Sequence, residues 1–142
     1  MNNQISDLSN LKSNLENRNS ALIFESDTIK IYQPRNMAES IKYGRKTHWC
    51  TAADNNNMFC QYHKPKLNNL FIIEPIITKT ISCDNKDTEQ PLKFQLDTNP
   101  DAGIEYHLMN SCDEPVNICE LTTIYPDLKY FLKYLTYYNY RC

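Results

Sequence analysis

The chain has 142 residues, of which 41% are hydrophobic and 23% charged; that length suits one domain, and the composition is far from that of a disordered polymer. Its formal charge of −2 supplies no basic field to displace counterions from phosphates, so nucleic acid is not an expected partner. No apolar run approaches the roughly 18 residues of a membrane span, and the start, Met1 to Asp7, lacks a charged-then-apolar leader, so no membrane partner is expected.

Ile5, Leu8, Leu11 and Leu15 recur every three or four residues, which predicts an amphipathic helix over 4–18. Residues 1–20 are thus an N-terminal helical segment ahead of an α+β unit over 21–142, the two forming one domain. Ala21-Leu22-Ile23-Phe24 and Thr28-Ile29-Lys30-Ile31-Tyr32 are apolar and β-branched, and Glu25-Ser26-Asp27 between them predicts a hairpin. Asn36 is placed to cap a helix over 37–43, with Gly44 as its left-handed stop. Asp54 offers a second cap, for a helix carrying Met58, Phe59 and Tyr62 and ending near His63 before Pro65.

Leu70-Phe71-Ile72-Ile73 is a continuous apolar run that reads as a central strand, cut short by Pro75. Residues 76–81 predict a further strand at an edge, and 84–91, polar and rich in breakers, an exposed loop. Residues 92–96 alternate, Asn99-Pro100-Asp101-Ala102-Gly103 is a turn by its chemistry, and 104–109 alternate again, which predicts a hairpin. Val116-Asn117-Ile118 reads as a short strand. Pro126 suits the first turn of a helix over 127–138, with Leu128, Phe131, Leu132 and Leu135 on its core face. This order predicts an α+β fold with a mainly antiparallel sheet and helices on one face.

The connector Lys42-Tyr43-Gly44-Arg45-Lys46-Thr47-His48-Trp49-Cys50-Thr51-Ala52-Ala53 concentrates rare side chains. It holds the single Trp and one of two Gly. Connectors held by a scaffold are where binding groups are most often displayed, so residues 43–53 are the expected site. Cys50 is the candidate nucleophile, because a thiolate is stabilised beside a helix start and cations such as Arg45, Lys46 and His48. His48 is its candidate base, and Thr47, Trp49, Thr51 and Arg45 are candidate ligand contacts. Two structural readings stand beside these: Cys50 as a small core residue, and Trp49 as a core anchor.

His48, Cys50, Cys60 and His63 are zinc-ligand types at partly suitable spacing, but no metal or other cofactor is expected. Asp97, Asp101, Glu105, Asp113 and Glu114, with a Glu105–His107 pair along one strand, read as surface acids rather than acid–base machinery. Two Gly cannot build a phosphate-cradling loop. The six irregularly spaced Cys read as reduced, free thiols of an intracellular protein.

Ser40-Ile41-Lys42-Tyr43-Gly44, Thr47-x-Trp49-Cys50-Thr51-Ala52, Met58-Phe59, Tyr62 and Leu70 to Ile73 resemble a pattern in small proteins of large DNA viruses and bacteriophages. Residues 93–96, 113–116 and 125–128 resemble that family's second half, so the likeness spans roughly residues 22–135. Cys60, His63 and His107 fall outside the pattern. The resemblance brings no established activity. It implies a protein working in an infected cell, in the host cytoplasm or in the virion. The expected function is therefore a non-enzymatic accessory protein whose loop binds a protein or small-molecule partner. A thiol-dependent transferase or hydrolase using Cys50 is the alternative. A virion component, held by the aromatic C-terminal helix (Tyr130, Tyr134, Tyr137, Tyr138, Tyr140), is a further one.

Overall fold

A computed structural model describes residues 21–62, 70–83, 89–97 and 107–134. The expected helix over 4–18, His63, the 99–103 turn, Glu105 and the end of the C-terminal helix lie outside the described residues. Strand β1 (Leu22–Glu25) and β2 (Ile29–Tyr32) form the expected hairpin. The Ser26 hydroxyl closes its turn by accepting from the amides of Thr28 and Ile29. Strand β3 (Leu70–Pro75) is central, as its apolar run requires. It pairs with β2 on one side and β6 (Phe94–Asp97) on the other, and β7 (His107–Asn110) completes a five-stranded antiparallel sheet in the order β1-β2-β3-β6-β7. The fold is α+β with a mainly antiparallel sheet.

Alternation divides β3 between two environments. Phe71 and Ile73 join Ile29, Ile31, Phe94, Leu96 and Leu108 in the main core. Helices α3 (Ile118–Ile124) and α4 (Leu128–Tyr134) close that core, with Phe131 set edge-on to Phe71 at 5.0 Å between ring centres. Leu70 and Ile72 alternate with these residues, face the other way and are also buried. Helix α1 (Met37–Tyr43) lies against this second face, where Tyr43 stacks on Tyr32 at 4.1 Å. Burial, aided by Glu74, pushes the Tyr32 phenol up to about 12.

Several local expectations are corrected. Asn36 does cap α1, its side chain accepting from Glu39 N–H at 2.9 Å. Gly44 has φ −94°, however, and is not a left-handed stop. Asp54 does not cap the next helix, α2 (Phe59–Tyr62); Asn57 does, accepting from Phe59 N–H at 2.8 Å. Residues 76–81 are not one strand. Ile76 and Ile77 form an exposed bend after Pro75, and only β4 (Thr80–Ser82) pairs, with β5 (Glu89–Pro91), in a separate two-stranded sheet. The end of the expected 84–91 loop is therefore a strand. Val116-Asn117-Ile118 is not a strand either, because the Asn117 side chain accepts from the amides of Cys119 and Glu120 and starts α3.

The free-thiol expectation is also overturned. Cys83 and Cys112 form a disulfide across 29 positions with Cα atoms 5.3 Å apart, and Cys119 is likewise disulfide-bonded. Cys50 and Cys60 are free and exposed. Cys83 directly follows β4 and Cys112 lies in the turn after β7, so this bond ties the small sheet to the large one. Closing a loop of that length restricts the unfolded chain strongly. Replacing both residues, Cys83→Ser with Cys112→Ser, should lower stability by about 2–4 kcal/mol in urea unfolding under non-reducing conditions; an unchanged midpoint would mean that the small sheet is held without it.

Candidate functional site

The connector after α1 is a folded unit with its own hydrogen-bond plan. Residues 44–46 turn, with Lys46 in the left-handed region at φ 66°, a conformation that costs a side-chain-bearing residue roughly 1 kcal/mol. The Thr47 amide and hydroxyl both donate to Gly44 O, at 3.1 and 2.6 Å, and hold that turn. His48 N–H then donates to Ser111 O at 2.8 Å, and the Trp49 indole N–H donates to Asn110 O at 2.7 Å. The loop is thereby fixed to the end of β7. Trp49 is only 2% exposed.

Residues Cys50–Ala52 form a 3-10 turn in which Thr51 is the buried hub. Its carbonyl accepts from Ser40 Oγ and Asn57 Nδ2, and its hydroxyl accepts from Gln95 Nε2. Helix α1, the 3-10 turn, the start of α2 and strand β6 therefore meet at one residue. Gly44 is required here by crowding rather than by dihedral angle. A Cβ at that position would stand 2.6 Å from Ala52 Cβ and 2.9 Å from Ser40 O, closer than packed atoms tolerate.

The residues singled out in the sequence go to different places. Trp49 and Thr51 point inward and hold the loop. Cys50 is exposed, and no hydrogen bond reaches its sulfur among the described residues. His48 is exposed and makes no hydrogen bond to Cys50. Its charge acts on Asp113, whose carboxyl burial pushes up and His48 pulls back down. Arg45 leaves the loop in another direction. With Lys46 it lines a cleft of about 210 Å³ whose other walls are Glu74, Pro75, Thr78, Pro91, Leu92 and Lys93.

Lys93 is the most enclosed charge in that cleft. Its Nζ donates to Tyr43 O, the last carbonyl of α1, at 2.8 Å and lies 3.7 Å from Glu74 Oε2. A cation at a helix C-terminus is electrostatically favourable. Even so, burial holds the Lys93 ammonium below its usual range; Glu74 opposes that shift and Arg45 adds to it. Ser111 fixes the backbone beneath, accepting from Lys93 N–H at 2.7 Å while its hydroxyl donates to Pro91 O. Sequence reasoning did not select Glu74 or Lys93. The sequence does carry a signal: Glu74 interrupts the apolar run of β3, and Lys93 directly precedes the buried start of β6.

Among the described residues, no three His, Cys, Asp or Glu side chains are placed to hold a metal ion, and no helix is long and apolar enough to cross a membrane. No protein-family model, curated protein or solved structure matches the chain.

Two consequences are measurable. Trp49→Ala should cost about 3–5 kcal/mol in chemical denaturation, and Gly44→Ala about 1–3 kcal/mol from overpacking alone; a Gly44→Ala protein as stable as its parent would show that the loop and α1 are not in close contact. Cys50, lacking a hydrogen-bonded base, should react with iodoacetamide at neutral pH at a rate like that of Cys60. An advantage of more than about tenfold for Cys50 would restore it as a nucleophile.

Proposed function

We propose that this chain is a non-catalytic accessory protein of viral type that binds a small molecule, or a small group presented by a partner, in the cleft beside residues 43–53. The observation that carries the reading is the cleft itself. It is framed by Arg45 and Lys46 on one side and by Glu74, Pro75, Thr78 and residues 91–93 on the other, and His48 and Lys93 each donate a backbone N–H to Ser111 in the turn after β7. A preorganised concave site loses little conformational freedom on binding, which is what separates a binding surface from an ordinary loop. The viral part of the proposal is supported by the Tyr-Gly-x2-Thr-x-Trp-Cys-Thr-Ala motif of residues 43–52.

The thiol-enzyme reading has less support, because Cys50 is outside the cleft lining and has no base bonded to it. The virion reading is favoured by a separate observation. Disulfides persist at virion surfaces and in oxidising compartments and are rare in reduced cytoplasm, and Cys83, Cys112 and Cys119 are oxidised. A place in or on the particle thus accounts for them better than the host cytoplasm does.

Screening neutral and anionic fragments against the whole chain by two-dimensional amide NMR tests the binding proposal. Saturable shifts should gather at Arg45, Lys46, Leu92 and Lys93. If no fragment of either kind moves those amides, the cleft is not a binding site and the proposal fails.

A further inference from the structure

The cleft concentrates positive charge in a chain whose formal charge is −2. Arg45, Lys46 and Lys93 line it, and Glu74 is the sole carboxylate among its lining residues. The cations come from two separate segments, so the clustering is a product of the fold and not of a basic run in the sequence. Bringing like charges together in a partly desolvated place is unfavourable unless counter-charge is supplied. Glu74 supplies part of it through an ion pair of 3.7 Å, longer than a hydrogen bond. Lys93, its side chain 13% exposed, also donates to Tyr43 O. An ammonium has three N–H donors, so donor capacity remains toward the cleft. Arg45 is exposed at the rim and brings a planar fork of donors suited to oxyanions. Pro75, Pro91 and Leu92 make the remaining wall apolar. At about 210 Å³ the space is smaller than a drug-sized pocket and suits one charged group with a short stem.

We propose that this cleft binds a small oxyanion, a phosphate monoester or carboxylate carrying a short aliphatic stem. Arg45 and Lys93 hold the anionic group, Lys46 adds field at the rim, and Pro91 and Leu92 cover the stem. Glu74 weakens the complex by occupying Lys93, which keeps the ligand exchangeable. The inference rests on the cleft being the binding site proposed above, and it adds the chemistry of the ligand.

Ethyl phosphate, butyrate and the neutral butanamide, titrated in turn into the whole chain and followed at the Arg45, Lys46 and Lys93 amides, test it. At least one of the two anions should bind saturably, and the tighter one identifies the source of the oxyanion; butanamide should bind at least about tenfold more weakly. Arg45→Gln should weaken the anion by about tenfold. Glu74→Gln, which removes the competing carboxylate and preserves shape, should tighten it by about threefold. Butanamide binding as well as the anions overturns the oxyanion but leaves the cleft as a site. No shift with any of the three overturns both. Anion binding that Arg45→Gln leaves unchanged, or that Glu74→Gln weakens, also overturns this proposal; amide spectra of the two variants establish that each remains folded.

Discussion

The turn that follows β7 is the joint on which the second face of this protein depends. Asn110 O takes the indole N–H of Trp49, and Ser111 O takes the amide of His48. The Ser111 hydroxyl bridges Lys93 N–H and Pro91 O, and Cys112 is bonded to Cys83. The turn is itself held by the Asn110 side chain, which accepts from the amides of Cys112 and Glu114, with Asp113 at φ 60° between them. Three consecutive residues, Asn110, Ser111 and Cys112, thus connect the large sheet, the small sheet and the Trp loop. Each hydrogen bond is worth only about 1 kcal/mol net. Their value lies in being made together, because a buried group left unpartnered costs more than a formed bond returns.

This joint also explains why the two faces of the sheet behave differently. The face under α3 and α4 is closed mainly by apolar burial, with Phe71, Leu96, Leu128 and Phe131 fully buried. Such packing is non-directional and tolerates exchange of similar volumes. The opposite face has fewer apolar residues and is closed by directed polar contacts around Thr51, Ser111 and Lys93. Directed contacts fix positions to within a few tenths of an ångström, which a cleft must have if a small group is to be held in one orientation.

Much of the frame is legible in the sequence. Asn36, the apolar run of β3 and the spacing of Leu128, Phe131 and Leu132 each act through neighbours along the chain, so local pattern reveals them. Helix α3 is harder to see, because Thr122, Thr123 and two Ile are poor helix formers. Its helical state is set by burying Ile118 and Leu121, three residues apart, against the sheet. The Cys83–Cys112 bond depends on two turns meeting in space, about which spacing in sequence says nothing. Gly44 stands out in the sequence as a left-handed stop, but what requires it is crowding against Ala52 in the folded chain, which no local dihedral preference reveals.

The same contrast bears on how a site is recognised. Trp49, Gly44 and Thr51 draw attention because they are rare or clustered, yet each is committed to holding the loop in place. An indole that is 2% exposed and bonded to a backbone carbonyl has neither surface nor donor left for a ligand. The charged groups that line the cleft are two Lys, an Arg and a Glu, common residue types that composition does not single out. What distinguishes them is position: Glu74 is the next-to-last residue of an apolar strand and Lys93 lies just before another, where burial makes an ionised side chain unfavourable. A fold retains such a charge when something offsets it, here a helix-terminal carbonyl and a loose carboxylate. In a chain of this kind, a rare residue signals architecture, whereas an ordinary charge at the end of a buried strand signals chemistry.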